Sequence, residues 1–409
     1  MAASITRPSP LSHRVFTGRL HPVTALLTDE QLLARLVGFD STSRNSNLPI
    51  ADFICDYLDR PGIRVHRVPS PDAEKANLLV FVGPETDPER RDGLVLSGHM
   101  DVVPADPTEW DTDPFRLTER GDAYVARGAC DMKGFLALAI NRAAQAAHAE
   151  LRQPLALLLT YDEEVGTVGA KHFVQSWHDR SSLPRHAIVG EPTSLSAVRI
   201  HKGHLEFRLE FRGTSAHSGY PHLGTNAIEL AGRAIVALAA LGDHLRNERP
   251  DAGRHFPDVP HLTLNIGRIA GGVAVNVVPD RCAIAFDVRV LPGTDVSAIR
   301  NRLELVLSEA SGATPFALEC TTESPALLLD AQAEIFQAVE RLAQGNGPDS
   351  VSYATDAGWL QHGGLECVVF GPGDIAVAHK PNESLPVREF IAASGILDRL
   401  IHQFCRGGR

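Results

Sequence analysis

The sequence predicts a mixed α/β protein, in which a mainly parallel sheet is flanked by helices and a smaller α+β unit is inserted. Three observations support this prediction. The chain has 409 residues, which is too long for one ordinary hydrophobic core. Short apolar runs alternate with stretches of helical period along most of the chain, as is typical of parallel α/β sheets. One internal stretch instead alternates apolar and charged residues, as a strand with one solvent-exposed face does.

The parallel sheet is predicted from apolar runs that end in polar loops or helices. Residues 94–96, 155–159, 188–189 and 367–370 are runs of this kind, and we expect each to be a buried strand. Residues 135–147, between the first two runs, have apolar side chains at helical spacing. The pattern therefore indicates strands that are joined by helical connections.

The inserted unit begins near residue 198. Residues 205–212 read LEFRLEFR, so their apolar and charged side chains face opposite sides of one strand. Together with this strand, the further candidates give the order β-α-β-β-α, which is that of a small two-layer, ferredoxin-like domain. They are a helix at 226–241, strands at 262–269 and 282–290, and a helix at 296–310. We therefore predict an outer domain of residues 1–197 and 314–409, and an inserted domain of residues 198–313.

Composition argues against two classes of partner. Apolar residues make up 44% of the chain and charged residues 22%, and no stretch approaches the roughly 20 consecutive apolar residues of a membrane span. The formal net charge of −11 works against binding to a phosphate backbone, which requires clustered Lys and Arg. We therefore expect no membrane and no nucleic-acid partner.

Six cysteines are scattered without CxxC pairs, which argues against a disulfide framework and against a thiolate zinc site. This favours a reducing compartment, and we expect a cytoplasmic location. Residues 1–21 lack the apolar core and the small-residue cleavage site of a secretory signal, so we expect a mobile leader. A transit peptide is the alternative, because Arg7, Arg14 and Arg19 occur there without an acidic residue.

Potential metal ligands follow the predicted strands. In SGHMDVVP, His99 and Asp101 are two residues apart, so on an extended backbone both side chains face the same side. The Asp101 carboxylate would then orient the His99 ring while the other ring nitrogen binds metal. A surface or capping pair is the alternative. Asp131, in RGACDMKG, comes just before the helical stretch, where its alternative role is that of a helix N-cap.

Three more segments add to this pattern. Asp162, Glu163 and Glu164 follow an apolar strand directly, and their like charges would repel unless a cation neutralised them. A solvated acidic loop is the alternative. Glu191 follows the strand at 188–189, and His379 follows the apolar run at 367–370 after a Gly-Pro-Gly turn.

All five segments lie at or soon after the carboxyl ends of predicted strands, the edge at which open α/β sheets bind ligands. Two imidazoles and three carboxylates, with one carboxylate left over, match a site for two divalent cations with a bridging carboxylate. Oxygen and nitrogen donors suit zinc, cobalt or manganese. No GxSxG elbow occurs, so a serine-hydrolase mechanism is not expected.

These segments resemble the signature motifs of the di-zinc aminoacylase and carboxypeptidase superfamily, from about residue 28 to the C-terminus. Residues 352–357 and 371–379 are most similar to those of its acetylornithine deacetylases. The resemblance implies two divalent metal ions, zinc or cobalt, bridged by Asp131. His99 and Glu191 would complete one site, and Glu164 and His379 the other.

The same resemblance implies a reaction. Glu163 would be the general base, assisted by Asp101 beside His99, in hydrolysis of the amide bond of a small-molecule N-acyl amino acid. The expected substrate is N2-acetyl-L-ornithine, which would give L-ornithine and acetate. Other members of the same family remain alternatives, namely a succinyl-diaminopimelate desuccinylase, an acetylcitrulline deacetylase or a broad N-acyl amino acid hydrolase. A metal-free binding protein on the same fold is an alternative of a different class, and the presence of every matched ligand argues against it.

Residues of the inserted domain extend the resemblance, which implies a lid and dimerisation role for that domain and a homodimer. His217, in GTSAHSG, resembles the family histidine that reaches across the dimer to stabilise an oxyanion; a locally bonded loop histidine is the alternative. Asn276, Arg289 and Thr355 resemble positions that contact substrate. Arg289 is expected to bind an α-carboxylate through both ends of its guanidinium, with a surface ion pair as the alternative. Asp356 is a candidate partner for the ornithine ammonium.

Overall fold

A computed structural model describes residues 25–312 and 314–407 of the chain. The predicted leader, residues 1–21, lies outside these ranges. No helix among the described residues has both the length and the apolar character that crossing a membrane requires. The described helices are α1 (Asp29–Val37), α2 (Leu48–Tyr57), α3 (Gly134–Ala146), α4 (Val168–Ser176), α5 (Ala227–Asn247), α6 (Val296–Ser311), α7 (Glu334–Leu342), α8 (Ala357–His362) and α9 (Val387–Ile401).

The strands form two larger sheets and three small ones within the described part of the chain. In chain order the strands are β1 (Ile63–Pro69), β2 (Ala76–Val82), β3 (Leu94–His99), β4 (Thr118–Arg120), β5 (Ala123–Val125), β6 (Leu155–Thr160), β7 (His186–Val189), β8 (Ile200–His201), β9 (Gly203–Arg212), β10 (Ala216–His217), β11 (Thr263–Gly271), β12 (Val277–Val278), β13 (Arg281–Val290), β14 (Phe316–Ser324), β15 (Leu327–Leu328), β16 (Ser350–Val351), β17 (Glu366–Val369) and β18 (Ser384–Pro386).

The central sheet has six strands in the order β1-β2-β6-β3-β7-β17. Strand β3 pairs in parallel with β6 and β7, and β7 pairs in parallel with β17, whereas β1 and β2 add an antiparallel edge. This confirms the predicted mixed, mainly parallel sheet. Because β3, β6, β7 and β17 run in the same direction, their carboxyl ends meet at one edge of the sheet.

Hydrophobic cores cover both faces of this sheet. Leu94 and Leu96 of β3 belong to one core and Val95 to the other, because successive side chains of a strand point to opposite faces. The first core contains α1, α2, α3 and α9, and the second contains α4 and α8. Burial on both faces explains why these strands read as continuous apolar runs rather than as an alternating pattern.

The inserted sheet has the order β11-β13-β9-β14, with α5 and α6 packed on one face. The apolar residues of β9 point to the helices, and Leu205, Phe207, Leu209 and Phe211 are at most 1% exposed. Burying such a side chain contributes about 1.5–3 kcal/mol. The charged residues of β9 occupy the other face, as the alternating sequence predicted.

Strand β14 was not predicted, and it shows that the sheet extends beyond residue 313. It pairs with β9 from Phe316 opposite Phe211 to Ser324 opposite His204. Its residues are mostly only partly buried, so the sequence lacks the strong alternation that identified β9. The boundary predicted at 313 therefore leaves out the fourth strand of this sheet.

The antiparallel hairpin of β1 and β2 and the three small sheets were also not predicted. One small sheet, in the order β18-β5-β4, matters for the site because β18 comes soon after His379. Its pairing with β5 holds the segment after His379 beside the segment that leads to Asp131.

Candidate metal centre

The five predicted metal ligands converge at the carboxyl edge of the central sheet. His99 is the last residue of β3, Glu164 follows β6, and Glu191 follows β7. His379 lies in the loop after β17, with a left-handed backbone conformation (φ 62°). Two groups have ligand atoms that all lie within 4.8 Å of one another: His99, Asp131 and Glu191, and Asp131, Glu164 and His379.

Asp131 belongs to both groups and lies between the two histidines. Its Oδ1 is 3.1 Å from Nε2 of His99, and its Oδ2 is 3.2 Å from Nε2 of His379. The N-cap of α3 is Lys133, which makes no capping hydrogen bond through its side chain, and Asp131 itself has non-helical backbone angles. The alternative role of Asp131 as a helix cap is therefore not observed.

The two groups differ in exposure. His99, Asp131 and Glu191 are buried, and Nε2 of His99 lies 4.0 Å from Oε1 of Glu191. In the second group, Nε2 of His379 is 2.9 Å from Oε2 of Glu164, and the His379 side chain is 51% exposed. The second group therefore opens to solvent and the first does not.

The crowding of carboxylates shifts their titration. Burial and then the charge of Asp131 raise the pKa of Glu164 to about 7, and the same two causes raise the pKa of Glu191 well above its usual value. Hydrogen bonds to Asp131 and Glu164 raise the pKa of His379 to about 10. Burial opposes the charged form of Asp131, but hydrogen bonds with His379 and His99 lower its pKa below the usual range. Without cations, the protein thus holds a proton on His379 near neutral pH, while the Asp131 carboxylate stays ionised.

The residues present fit divalent cations. Within residues 25–312 and 314–407, Oε1 of Glu164 and Oε1 of Glu191 are buried and have no hydrogen-bond partner, which is costly for a carboxylate unless a cation satisfies it. Imidazole nitrogen and carboxylate oxygen are ligands that zinc and cobalt accept. The shared carboxylate of Asp131 suits a pair of neighbouring ions.

Asp101 contacts His99 differently from the prediction. Nδ1 of His99 lies 2.9 Å from the main-chain carbonyl oxygen of Asp101, and the Asp101 carboxylate is farther away, at 3.6 Å. That carboxylate instead accepts hydrogen bonds from the main-chain N–H groups of Glu163 and Glu164, at 3.1 and 3.3 Å. Asp101 thus contacts the ring through its main chain and the acidic loop through its side chain.

The three consecutive acids have different surroundings. Asp162 forms an ion pair with Lys75, which neutralises it without a metal ion. Glu164 belongs to the second ligand group. Glu163 lies in neither group, and burial followed by the charge of Glu191 raises the pKa of its carboxyl well above its usual value. A carboxyl of this kind is suited to accept and return a proton near neutral pH.

His217 and Asn276 lie together on the inserted unit rather than in the ligand groups. His217 is exposed on β10, and its Nδ1 accepts a hydrogen bond from Gly219 N–H at 3.0 Å. Asn276 precedes β12, the partner of β10, and its carbonyl accepts from Ser218 N–H at 3.0 Å. Within one chain, His217 is therefore a locally bonded loop histidine, which is the alternative interpretation given above.

The other predicted substrate contacts are engaged within the chain. Arg289 forms an ion pair of 3.1 Å with Asp287 on β13. Thr355 is buried, and its Oγ1 lies 3.2 Å from Nε2 of His201. Asp356 is also buried, and its Oδ2 accepts from Thr160 Oγ1 at 2.6 Å. Burial raises the pKa of Asp356 to about 6.

One buried carboxylate beside the centre was not identified from the sequence. Glu383 accepts hydrogen bonds from Arg127 and from main-chain N–H groups that include that of Asp131. Its sole sequence signal is its place four residues after His379, a spacing that carries no chemistry by itself.

Comparisons with known proteins bear on this centre. A model of the peptidase family M20/M25/M40 matches residues 95–403. The acetylornithine deacetylase of Myxococcus xanthus is 38% identical over 92% of this chain and 97% of its own length, and that of Pasteurella multocida is 36% identical over 88% and 92%. An M20 family metallo-carboxypeptidase from Sulfolobus solfataricus has a similar fold, with a TM-score of 0.74 at 18% identity over 92% of this chain and 99% of that one.

Proposed function

The chain belongs to the peptidase family M20/M25/M40, and on this premise we propose that it hydrolyses the amide bond of N2-acetyl-L-ornithine to L-ornithine and acetate. One observation supports a metal-dependent hydrolase above all others: two ligand groups share the carboxylate of Asp131. The choice of substrate is supported by relatives named acetylornithine deacetylase at 34–38% identity over most of the chain.

Two divalent ions, zinc or cobalt, are the cofactors that we propose. His99 and Glu191 would hold one, Glu164 and His379 the other, and Asp131 both. When bound, such ions act as Lewis acids, which polarise an amide carbonyl and make water more acidic. The unpartnered oxygens of Glu164 and Glu191 support this assignment.

Glu163 is the proposed general base. It would accept a proton from the attacking water and donate it to the nitrogen of the leaving amine, so one carboxyl serves both steps. Its main chain is fixed on both sides: its N–H donates to Asp101, and its carbonyl accepts from Gly166 and Thr167 N–H at 2.9 and 2.8 Å. A fixed loop supports accurate placement of the carboxyl.

Substrate contacts from the inserted unit are part of the proposal. Arg289 would exchange its ion pair with Asp287 for the α-carboxylate of the substrate, which its guanidinium matches. Asn276 and Thr355 are proposed as further contacts. His217 would stabilise the developing oxyanion from the neighbouring chain of a dimer, and its exposure in the single chain supports that placement.

We propose a homodimer that forms through the edge of the inserted sheet. Strand β11 lies at this edge, and among the described strands it pairs with β13 alone. Its residues from Gly267 to Gly271 are exposed. Val273 and Val275 beside it are 88% and 102% exposed, and Val236 on α5 is 70% exposed. Free strand edges and exposed apolar side chains favour association, and a second copy of the chain would cover both.

Two further assignments are proposed on indirect support. A cytoplasmic location is supported by the six cysteines, all of which lie in the described residues and are free. The inserted domain has a hydrophobic core of its own, which supports its proposed role as a lid and dimerisation domain. On the sheet pairing, we propose that this domain includes β14 in addition to residues 198–313.

A substrate panel tests the function. The purified chain is assayed with N2-acetylornithine, acetylcitrulline and succinyl-diaminopimelate, as prepared, after chelation, and after zinc or cobalt is restored. We expect the highest kcat/KM with N2-acetylornithine, loss of the rate on chelation and recovery with added metal. A higher kcat/KM for another substrate would assign the chain to that activity, and a rate that survives complete metal removal would contradict the mechanism.

A further inference from the structure

Glu383 lies where two metal-binding segments of the chain meet. It directly precedes β18, whose Ser384 pairs with Val125 of β5. The main-chain carbonyl of Glu383 accepts a hydrogen bond from Ala126 N–H at 3.2 Å. The segment that begins at His379 is therefore fixed against the segment that runs into Asp131.

The side chain of Glu383 points into that second segment and is 1% exposed. Its Oε1 accepts hydrogen bonds from the main-chain N–H groups of Cys130 and Asp131, at 2.8 and 3.0 Å. Its Oε2 accepts from Gly128 N–H at 3.0 Å and from Nη1 of Arg127 at 2.7 Å. One carboxylate thus accepts hydrogen bonds from four of the five residues 127–131, all except Ala129.

The turn that these bonds hold has little freedom. Gly128 has a left-handed backbone (φ 77°), and a Cβ there would lie 2.6 Å from Cγ1 of Val102. Arg127 is 3% exposed and its guanidinium lies over the Trp110 ring, 5.2 Å from the centroid, so it supplies the compensating charge in a fixed position. A buried carboxylate requires both a counter-charge and satisfied oxygens, and Glu383 has both.

Glu383 is also distinct from the metal ligands. Both of its oxygens are used by N–H donors, whereas Glu164 and Glu191 each have a buried oxygen without a partner in the described residues. Glu383 is not a member of either ligand group. Its direct influence on the centre is through the main chain of Asp131.

We infer that Glu383 is a positioning residue that ties the Asp131 turn to the His379 segment, so that the Asp131 carboxylate and the His379 imidazole keep their separation. The inference rests on the proposed metal centre and deepens it. Residues that orient ligands in this way change metal affinity by about 10- to 100-fold when they are replaced.

The test is a zinc-binding isotherm of the full-length chain, stripped with EDTA and titrated in competition with a chromophoric zinc chelator. Glu383→Gln replaces one carboxylate oxygen with an NH₂ group. Two of the four N–H donors then face another donor instead of an acceptor, and the ion pair with Arg127 is lost. We expect this variant to bind zinc at least about tenfold more weakly than the wild type at one or both sites, while far-UV circular dichroism of the metal-free protein is unchanged.

Glu389→Gln is the matched control. The Glu389 carboxylate also accepts a main-chain hydrogen bond, from Gly373 N–H at 2.9 Å, but it contacts none of the segment 127–131 through a hydrogen bond in the described structure. We expect wild-type zinc affinity from this variant. A Glu383→Gln protein with a wild-type isotherm, or an equal loss in both variants, would overturn the inference.

A milder variant covers the case in which Glu383→Gln does not fold. Glu383→Asp keeps the charge but is one methylene shorter, so it cannot reach all four donors, and we expect a zinc affinity between those of the wild type and Glu383→Gln. Wild-type affinity in Glu383→Asp would overturn the inference. The zinc titration contains no substrate. A wild-type protein that binds zinc but does not hydrolyse N2-acetylornithine would therefore contradict the proposed function and leave this inference unaffected.

Discussion

The main-chain N–H of Glu163 donates a hydrogen bond of 3.1 Å to the carboxylate of Asp101. The two residues are 62 positions apart and follow neighbouring strands, β3 and β6. The N–H of Glu164 donates to the same carboxylate at 3.3 Å, and Ser43 Oγ donates to it at 2.7 Å. Asp101 therefore joins the loop of the proposed base to the strand end that carries His99.

Replacement of Asp101 by Asn is expected to lower kcat more than it lowers metal binding. The amide can accept at one position only, so at least one of the two main-chain hydrogen bonds is lost and the Glu163 loop loosens. His99 keeps its contact with the carbonyl of residue 101, which the substitution leaves in place. We expect kcat to fall by about 10- to 100-fold with near wild-type zinc content.

Ser43→Ala serves as the control for this change, because it removes a donor to Asp101 and leaves both main-chain bonds intact. We expect a much smaller effect on kcat than that of Asp101→Asn, because both hydrogen bonds from the loop of the proposed base are retained. Equal losses in the two variants, measured as kcat at saturating substrate beside metal content, would contradict the role given to Asp101.

The position of Asp101 was predictable from the sequence, but its contacts were not. Two residues in extended conformation point to the same side of a strand, and this placed Asp101 beside His99. The partners of the carboxylate depend on the register in which β3 and β6 pair, and this register cannot be read from a single sequence. The same limit applies to Glu383, whose donors come from a segment more than 250 residues away.

The second prediction concerns the proposed base directly. Glu163→Gln keeps the size of the side chain and removes its ability to accept a proton, so we expect kcat to fall by about 10²- to 10⁴-fold with unchanged zinc stoichiometry. The neighbouring Asp162→Asn is the control, because Asp162 forms an ion pair with Lys75 and has no role in the proposed proton transfer. A Glu163→Gln enzyme with near wild-type kcat would remove Glu163 from the mechanism.

The fold was easier to predict where burial left a pattern in the sequence. Strands β3, β6 and β7 are completely buried and appear as apolar runs, and β9 alternates because one of its faces is exposed. Strand β14 has mostly intermediate burial, so its sequence gives neither pattern. For the same reason, the sequence did not indicate that the inserted sheet continues beyond residue 313.

Subunit complementation tests whether His217 acts across a dimer. His217→Ala and Glu163→Gln chains are each expected to be nearly inactive. If each site takes His217 from the other chain, a mixed dimer contains one complete site. An equimolar mixture that exchanges freely should then recover about a quarter of wild-type activity, because half of the dimers are mixed and one of their two sites is complete.

The control for complementation is His217→Ala mixed with a chain that carries both substitutions, in which no site of any dimer is complete. Exchange between subunits is verified with differently tagged chains. An absence of recovery in the first mixture despite verified exchange would place His217 in its own chain's site or outside the site. Recovery in the control mixture would exclude complementation as the cause.

Zinc binding is expected to release protons, and the affinity should rise with pH. In the metal-free protein, hydrogen bonds to Asp131 and Glu164 raise the pKa of His379 to about 10, and burial raises that of Glu164 to about 7. Both ligands must lose their protons to bind a cation. Raising the pH from about 7 towards about 10 removes the protons from the metal-free state, so it favours the zinc-bound state across this window. The dependence should level off above the pKa of His379.

Calorimetry in two buffers of different ionisation enthalpy measures the number of protons released on zinc binding. His379→Ala should lower that number. His217→Ala replaces an exposed histidine outside the ligand groups, so it should leave the number unchanged. Zinc affinity that is constant between about pH 7 and pH 9 would mean that these side chains are already deprotonated before the metal arrives, in conflict with the hydrogen bonds among Asp131, Glu164 and His379.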